Sequence, residues 1–322
     1  MDRPKVIIAY PIADEIMEYV KEHCELIDFD LENPNRYEEL KSKIKYAEGV
    51  IALATPIDRE LLNHAPNLKV VSNITVGYNN YDIEAMKEKG VIGTHSPGIL
   101  DNTVADHIFA LILATGRRIP ELDKFVKSGS WDTMGNSNLF AKDIYGASLG
   151  IIGMGRIGEE VAKRAKAFNM DVKYFNRTRK LEFEKAQRIT YLGMEELLMT
   201  CDFIVTSTPL TDETYHLMGE YEFGLMKTDA IFINTSRGPV VDEKALIKAL
   251  QDKKIGGAGL DVFEQEPIAK DNPLLTMDNV VLTPHRAAGT KKTFEELAWN
   301  AARCMVETLE GKIVKNIIPE MK

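Results

Sequence analysis

The chain has 322 residues, which is enough for two domains of ordinary size. Apolar residues make up 44% and charged residues 28%, so the composition excludes a disordered chain. The formal net charge of −9 argues against nucleic acid as the main partner, because binding to phosphates requires a sustained positive field.

Neither a membrane span nor a secretory leader is predicted. The longest apolar run, residues 108–114, is far shorter than the roughly 20 residues that cross a bilayer. The N-terminal apolar stretch is also too short for a signal peptide. The chain contains Cys24, Cys201 and Cys304 without CxxC spacing, which indicates buried thiols rather than disulfides or a zinc site. We therefore expect a cytoplasmic protein with no membrane partner and no metal.

Short apolar, β-branched runs alternate with stretches of helical periodicity, which predicts an α/β fold with parallel sheets. A first series of strands is expected at residues 5–10, 49–54, 68–74 and 90–95. A second series suits a doubly wound Rossmann-type sheet and is expected at residues 148–153, 171–175, 202–207, 230–236, 257–263 and 279–285.

Helices are expected between these strands and at the end of the chain. Asp242 is placed to cap one of them. Another carries an apolar stripe three or four residues apart, formed by Ile157, Val161, Ala165 and Phe168. A long helix occupies 101–118 and follows a hinge near 97–102, and a polar connection at 118–146 is too long for a simple turn. A final amphipathic helix follows His285.

The first chemical motif is Gly153, Gly155 and Gly158 in GxGxxG spacing, directly after a predicted strand and at the start of a helix. The first glycine allows a tight turn, the second lets the backbone approach a pyrophosphate, and the third permits close helix packing. In this strand–turn–helix context the motif predicts a dinucleotide site.

The next predicted strand ends without the carboxylate that usually binds the ribose of NAD. In that place are Asn176, Arg177, Thr178 and Arg179. Guanidinium groups and a hydroxyl suit the 2′-phosphate of NADP, which a carboxylate would repel. The residues favour NADP, with NAD possible. The alternative is that these are solvated charges on a surface loop.

Three later strands each end on a residue with catalytic chemistry: Arg237, Glu266 and His285. Because the carboxyl ends of parallel strands meet at one edge of a sheet, these side chains are expected to lie together. Arginine can hold a carboxylate or polarise a carbonyl, and histidine can donate a proton near neutral pH. A carboxylate beside the imidazole favours its protonated form.

The motifs "GMGRIG", "NTSRGPVVDE", "AGLDVFEQEP" and "NVVLTPH", in this order and spacing, resemble the D-isomer-specific 2-hydroxyacid dehydrogenase family over almost the whole chain. The resemblance implies two Rossmann-like domains, with a cofactor domain (100–288) inserted in a flavodoxin-like substrate domain (1–99 and 289–322). It also implies a homodimer formed mainly through the cofactor domain and the connection near 118–146.

The resemblance also implies roles for individual residues. The catalytic arginine of the family corresponds to Arg237 and its proton donor to His285. Its catalytic acid corresponds to Glu266 rather than Glu264. The backbone N–H groups of Val76 and Gly77 would hold the substrate carboxylate, and the loop at Leu53 would contact its far end. Further cofactor contacts would come from Met154, Arg156, Ile157, Thr208, Pro209, Thr235, Ser236, Asp261 and Val104.

Two departures from the family pattern are visible. Arg286, Ala287 and Ala288 follow His285 where the family often has Ile-Gly-Ser or Gly-Gly-Ala, and Val104 replaces a frequent threonine. Neither touches the predicted catalytic residues.

The expected function is NAD(P)H-dependent reduction of a small 2-oxo acid to the D-2-hydroxy acid. The favoured substrates are glyoxylate, hydroxypyruvate and 2-ketogluconate. The alternatives are an NAD-dependent dehydrogenase of the D-lactate or D-3-phosphoglycerate type, and a non-catalytic nucleotide-sensing protein resembling the corepressors built on this fold.

Overall fold

A computed structural model describes residues 3–131 and 139–322. The chain divides into two compact units, one comprising the residues up to Leu100 with Gly289–Lys322, the other Asp101–Ala288. The second unit is thus inserted into the sequence of the first. The boundaries expected from the sequence followed residues 99 and 288. The predicted connection at 118–146 lies partly outside the described residues, because 132–138 are not among them.

The first unit contains a five-stranded parallel sheet. Its strands are β1 (Lys5–Ile8), β2 (Glu25–Leu26), β3 (Gly49–Ala52), β4 (Val70–Asn73) and β5 (Ile92–Thr94). They are arranged in the order β2-β1-β3-β4-β5. This is the flavodoxin-like order, in which the chain reverses its direction of winding between β1 and β3. The loops after β3 and β4 therefore emerge near a place where such sheets bind ligands.

Four of this unit's helices connect these strands: α1 (Asp14–His23), α2 (Arg36–Lys43), α3 (Arg59–Asn63) and α4 (Ile83–Lys89). The last two begin at aspartates. Asp58 accepts a hydrogen bond from the Leu61 N–H, and Asp82 accepts one from the Ala85 N–H. Each carboxylate satisfies a backbone donor that the first helical turn leaves without a partner.

The second unit contains a seven-stranded parallel sheet. Its strands are β6 (Ser148–Ile152), β7 (Asp171–Phe175), β8 (Thr190–Tyr191), β9 (Phe203–Thr206), β10 (Ile231–Asn234), β11 (Gly257–Leu260) and β12 (Val280–Leu282). Their order is β12-β11-β10-β9-β6-β7-β8. The direction of winding reverses between β6 and β9, which makes their carboxyl ends the expected ligand site of a doubly wound sheet.

The helices of the second unit are α5 (Asp101–Gly116), α6 (Ile119–Lys127), α7 (Arg156–Ala167), α8 (Leu181–Gln187), α9 (Met194–Thr200), α10 (Glu220–Leu225) and α11 (Glu243–Gln251). The predicted stripe of α7 is confirmed at its centre, where Val161 and Ala165 are buried. The predicted cap of α11 is also confirmed, because the Asp242 side chain accepts from the Ala245 N–H.

The chain ends with α12 (Lys291–Leu309), which covers one face of the first sheet. Val6 and Ile8 of β1 lie in the apolar cluster that contains Leu297 and Met305 of this helix. Ile7 lies in the cluster on the opposite face, with the helices that follow β2, β3 and β4. Because successive strand side chains point to opposite faces, a sheet covered on both sides requires such continuous apolar runs.

All ten strands predicted from the sequence are present; β7 has the expected bounds and the other nine are shorter than expected. Strands β2 and β8, which have two residues each and lie at the outer edges of the sheets, were not predicted. The three cysteines are buried and unpaired, as predicted. Cys24 and Cys304 belong to the core of the first unit, and Cys201 to that of the second.

Candidate active site

The glycine turn lies after β6, at the reversal between β6 and β9. Gly153 has a left-handed φ of 101°, and a Cβ there would lie 2.5 Å from the Ser207 carbonyl oxygen. A Cβ at Gly158 would collide with the Gly153 carbonyl. Both glycines are therefore required by the protein's own packing.

Gly155 is different, because a Cβ there would meet nothing within 4 Å. It precedes α7, and no side chain caps this helix at Gly155. Nothing in the described part of the chain requires a glycine at this position. Open space beside the N-terminus of a helix is what a pyrophosphate needs, since it approaches the backbone N–H groups closely.

Across the reversal, the loop after β9 faces the glycine turn. Ser207 N–H donates to the Ile152 carbonyl at 2.7 Å, and the Thr208 methyl group is close to Gly153. The Thr208 hydroxyl is buried and has no hydrogen-bond partner in residues 3–131 and 139–322. A buried polar atom without a partner is costly unless a ligand or water satisfies it. Thr208 and the glycine turn thus fit a dinucleotide. Pro209, next in the loop, is exposed.

The other predicted cofactor residues near the turn differ in exposure. Arg156 Nε donates to the Asp101 carboxylate at 3.1 Å, and this arginine is more than half exposed. Ile157 is half-buried, whereas Met154 and Val104 are buried in the core. Contacts of these residues with a cofactor stay predictions, and for Met154 and Val104 the side chains already have a packing role.

The basic loop, Asn176–Lys180, follows β7. Arg179 forms a two-pronged ion pair with Glu184, at 2.9 and 2.7 Å, and its guanidinium lies 5.1 Å from the centre of the Tyr191 ring. Tyr174 also donates to Glu184, at 2.6 Å. Arg179 and Tyr174 together lower the pKa of Glu184 to about 2. The guanidinium of Arg179 is therefore already bound within the protein.

Arg177 is far less constrained. Its side chain is 86% exposed, and its ion pair with Glu213 has a distance of 3.3 Å. Asn176 donates to the Thr178 carbonyl at 2.8 Å, which shapes the turn. Lys180 pairs with Glu159 of α7. Of the two predicted arginines, Arg177 is thus the one whose guanidinium faces solvent without a strong internal partner.

The turn after β10 carries Thr235, Ser236 and Arg237 and is organised by Asn234, which is almost fully buried. The Asn234 side-chain oxygen accepts from the N–H and the hydroxyl of Ser236, at 3.0 and 2.8 Å, and its amide donates to the Arg237 carbonyl. Burial lowers the pKa of Arg237, and the charge of Glu266 opposes part of that shift. A partly buried guanidinium interacts with anions more strongly than one in open solvent.

Glu266 and His285 come together from different strands. His285 Nδ1 lies 2.6 Å from a Glu266 carboxylate oxygen. The other carboxylate oxygen accepts from the Phe263 N–H at 3.0 Å. Burial raises the pKa of Glu266, but the hydrogen bonds from His285 and Phe263 outweigh it, so the net shift is downward. Glu264 instead contacts His216. The structure thus brings Glu266, and not Glu264, to His285.

Asp261 holds the loop that carries His285. One carboxylate oxygen accepts from the Thr283 hydroxyl at 2.6 Å and from the Arg286 N–H at 2.8 Å. The other accepts from the Ala287 N–H at 2.7 Å. The side chain is fully buried. Asp261 therefore has an internal role, not predicted from the sequence, in addition to its predicted contact with the cofactor.

The turns that carry Arg237 and Glu266 are in direct backbone contact. A Cβ at Gly238 would collide with the carbonyl of Phe263. Only a glycine allows this approach, because any side chain would separate the two turns. The arginine, the glutamate and the histidine paired with it are thus held by one edge of the second sheet.

The predicted substrate loops lie in the first unit, after β3 and β4. Leu53 is half-buried against the core, and Val76 and Gly77 are half-buried in the loop after β4. His95 Nδ1 lies 3.0 Å from the Val76 carbonyl oxygen, and the Thr75 hydroxyl donates to the Gly77 carbonyl at 2.6 Å. These bonds fix the loop's conformation.

The structure describes residues 3–131 and 139–322. Within them, no group of three or more His, Cys, Asp or Glu side chains could hold a metal ion. No helix in the same ranges is long and apolar enough to cross a bilayer.

Asn234 and the loop-holding role of Asp261 were not identified from the sequence. The available signal was a polar residue at the end of an otherwise apolar strand, in "IFIN" and "GAGLD". Such residues must find partners when the strand end is buried. The signal therefore indicates an organised turn, but it does not say which backbone groups the side chain binds.

Comparison with known proteins gives concordant results. Residues 109–287 match the family "D-isomer specific 2-hydroxyacid dehydrogenase, NAD binding domain". A glyoxylate reductase from Korarchaeum cryptofilum is 41% identical over 98% of this chain and 96% of its own length. A glyoxylate/hydroxypyruvate reductase B from Enterobacter sp. is 41% identical over 98% of both chains.

Solved structures agree with this similarity. The NADPH-dependent glyoxylate/hydroxypyruvate reductase from Sinorhizobium meliloti, in complex with NADP and malonate, superposes with a TM-score of 0.88. It is 26% identical, and the superposition covers 99% of this chain and 98% of the other.

Proposed function

The chain belongs to the D-isomer specific 2-hydroxyacid dehydrogenase family, and from that premise we propose that it reduces small 2-oxo acids, glyoxylate and hydroxypyruvate first among them, to D-2-hydroxy acids. 2-Ketogluconate is a further candidate substrate. We propose NADPH as the preferred reductant, with NADH accepted less well.

The observation that carries this proposal is the pair of Glu266 and His285, 2.6 Å apart, on the same sheet edge as the Arg237 turn and the glycine turn. A carboxyl–imidazole pair supplies a proton donor, and a partly buried guanidinium supplies an anchor for an anionic, carbonyl-bearing substrate. These are the groups that reduction of a 2-oxo acid requires.

In the proposed reaction His285 donates a proton to the substrate's carbonyl oxygen. Its Nδ1 faces the ionised Glu266, which can only accept, so Nδ1 carries a hydrogen and Nε2 is left to act on the substrate. The carboxylate of Glu266 also holds the imidazole ring in place through this contact. A bound reduced nicotinamide would supply the hydride.

Arg237 orients the substrate by binding the carboxylate and carbonyl oxygens of the 2-oxo acid. In the first unit, we assign the backbone N–H groups of Val76 and Gly77 to binding of a substrate carboxylate, and Leu53 to the substrate's far end. The bond between His95 and the Val76 carbonyl supports this assignment, because it fixes the peptide groups of the loop. Held in this way, the carbonyl carbon would be oriented for attack before the chemical step.

The preference for NADPH rests on the basic loop. Asn176 stands where a carboxylate would exclude a 2′-phosphate, and the exposed guanidinium of Arg177 suits that phosphate. The S. meliloti reductase is itself described as NADPH-dependent.

We also propose that the enzyme is a cytoplasmic homodimer. Helix α6 leaves Ile119 and Val126 exposed on one face, and Trp131, Phe140 and Tyr145 are exposed nearby in sequence. Clusters of large exposed apolar side chains mark interaction surfaces. The three unpaired cysteines suit a reducing compartment. Light scattering on purified protein measures the oligomeric state.

The test of the proposed activity is oxidation of NADPH, followed by absorbance, with glyoxylate, hydroxypyruvate and 2-ketogluconate in turn, and NADH as the matched control. We expect turnover with at least one acid and a higher kcat/KM for NADPH. If none of the three acids is reduced with either nucleotide, the catalytic proposal is wrong and a nucleotide-sensing role replaces it.

A further inference from the structure

His216 lies in the loop between β9 and α10, beside the segment that follows Arg237. Its backbone N–H donates to the Pro239 carbonyl at 2.9 Å. Two residues later, Met218 donates to the Val240 carbonyl and accepts from the Asp242 N–H, at 3.1 and 3.0 Å. Residues 216–218 are therefore joined by backbone hydrogen bonds to the segment that begins two residues after Arg237.

The side chain of His216 reaches a different turn. Its Nε2 lies 2.8 Å from a carboxylate oxygen of Glu264, two residues before Glu266. The exposed fractions of the two side chains are 31% and 33%, so water competes only in part for this contact. The ring of Tyr215 stacks on the imidazole, with 4.0 Å between ring centres and 15° between their planes. The stacking restricts rotation of the imidazole.

Besides the contact with His285 and the backbone contact at Gly238, the turn that carries Glu266 is attached within itself and to α11. Glu266 accepts from the Phe263 N–H within the turn itself. The Glu264 N–H donates to Glu243 of α11 at 3.0 Å. The first of these bonds is local and the second leads to a helix. The contact of Glu264 with His216 instead links the turn of Glu266 to Pro239, two residues after Arg237, because the backbone of His216 is bonded to the Pro239 carbonyl.

We propose that His216 is a positioning residue for the reaction, because it fixes the turn of Glu266 relative to the turn of Arg237. This inference rests on the proposed function. His216 acts through Glu264 and Pro239 and does not itself touch the reacting atoms. Small displacements of catalytic groups cost large factors in rate, so the loss of one such link should be visible in kcat.

The backbone conformation of His216 determines which variants are informative. Its φ of 51° is left-handed, and asparagine tolerates this region better than most side chains. His216→Asn therefore keeps the backbone but is too short to reach Glu264. His216→Gln places an amide N–H about as far from the backbone as the imidazole Nε2, and so restores the contact. The two variants separate the side-chain link from the backbone link.

The experiment measures kcat, cofactor KM and melting temperature for wild type, His216→Asn, His216→Gln, Glu264→Ala and the double variant His216→Asn/Glu264→Ala. We expect kcat with NADPH and glyoxylate to fall about tenfold in His216→Asn and Glu264→Ala, with cofactor KM changed less than about twofold. His216→Gln should recover most of the loss, and the double variant should be no worse than either single one.

Three results would overturn the inference. An unchanged kcat in His216→Asn would show that the link does not matter to the reaction. A fall in kcat that tracks a lower melting temperature, with no rescue by His216→Gln, would show a purely structural role. A wild-type protein that reduces no 2-oxo acid would overturn the proposed function, and the inference with it, whereas the first two results leave the proposed function intact.

Discussion

Two regions on the same edge of the second sheet are built in opposite ways. The edge to which we assign catalysis, here called the catalytic edge, comprises residues 234–238, 261–267 and 283–287. It is held by buried polar groups such as Asn234 and Asp261 and by backbone contact at Gly238. The basic loop, residues 176–180, carries charges in solvent. Among the residues that the structure describes, Arg177 is paired with Glu213, through a long ion pair of 3.3 Å.

The difference matches the two tasks. Catalytic groups must be held in place before the transition state forms. Buried hydrogen bonds achieve this, but few other residue types could replace the ones that make them. A phosphate on a cofactor is an adaptable target, for which an exposed guanidinium suffices. Substitutions should therefore reduce rate or stability at the catalytic edge, and change nucleotide preference alone in the basic loop.

The sharpest test of the catalytic edge is His285→Ala. We expect kcat to fall roughly 10²- to 10⁴-fold, because the proton donor is lost. Steady-state kinetics with glyoxylate and NADPH measure the change, and a thermal melt shows whether the fold is intact. A variant with near-wild-type kcat would remove His285 from the mechanism.

Gly238→Ala tests the close approach of the turns. The added methyl group must push the Phe263 carbonyl away, so Arg237 and Glu266 separate. We expect kcat/KM to fall about 100-fold and stability to fall by about 1–3 kcal/mol. Gly155→Ala is the matched control, since its methyl group would meet no protein atom within 4 Å. It should melt like wild type while cofactor KM rises. Equal behaviour of the two variants would refute the distinction between the glycines.

The double variant Asn176→Asp/Arg177→Ala tests the basic loop. Loss of a charged contact with the 2′-phosphate and gain of a repelling carboxylate should lower the ratio of kcat/KM for NADPH over NADH by about tenfold or more. The melting temperature and the kcat at saturating NADH should stay near wild type. An unchanged ratio would mean that the loop is a solvated surface with no role in cofactor choice.

Glu184→Gln should have the smallest effect and the opposite sign. It weakens the ion pair that occupies Arg179, so this guanidinium becomes available to the 2′-phosphate. We expect the NADPH to NADH ratio to rise about threefold, since exposed ion pairs contribute little. No rise would show that Arg179 cannot reach the cofactor even when released.

The same variant has a pH signature. The folded-state pKa of Glu184, about 2, lies below its ordinary value of 4.5. The stability that ionised Glu184 contributes to the fold is therefore present above about pH 4.5 and is lost as the pH falls towards 2. Thermal melts between pH 7 and pH 2 should show wild type more stable than Glu184→Gln at neutral pH, with the difference closing as the pH falls below about 4.5. A difference independent of pH would assign the effect to packing.

The sequence contained enough information to predict the ten longer strands, the glycine turn and the three strand ends with Arg237, Glu266 and His285. These features follow from local apolar runs and from the rule that parallel strands end at one edge. Strands β2 and β8 were not predicted, because a segment of two residues has no measurable periodicity. The pairing of Arg179 with Glu184 was not predicted either, because only the folded turn between β7 and α8 brings their side chains together.

The three buried cysteines have a practical consequence. Burial raises the pKa of Cys24, Cys201 and Cys304 to about 11, so almost no reactive thiolate exists at neutral pH in the folded chain. A thiol-specific alkylating reagent would label each one only when its surroundings open. Cys24 and Cys304 would report opening of the first unit, and Cys201 opening of the second. Mass spectrometry of timed labelling could therefore follow the unfolding of each half without any introduced probe.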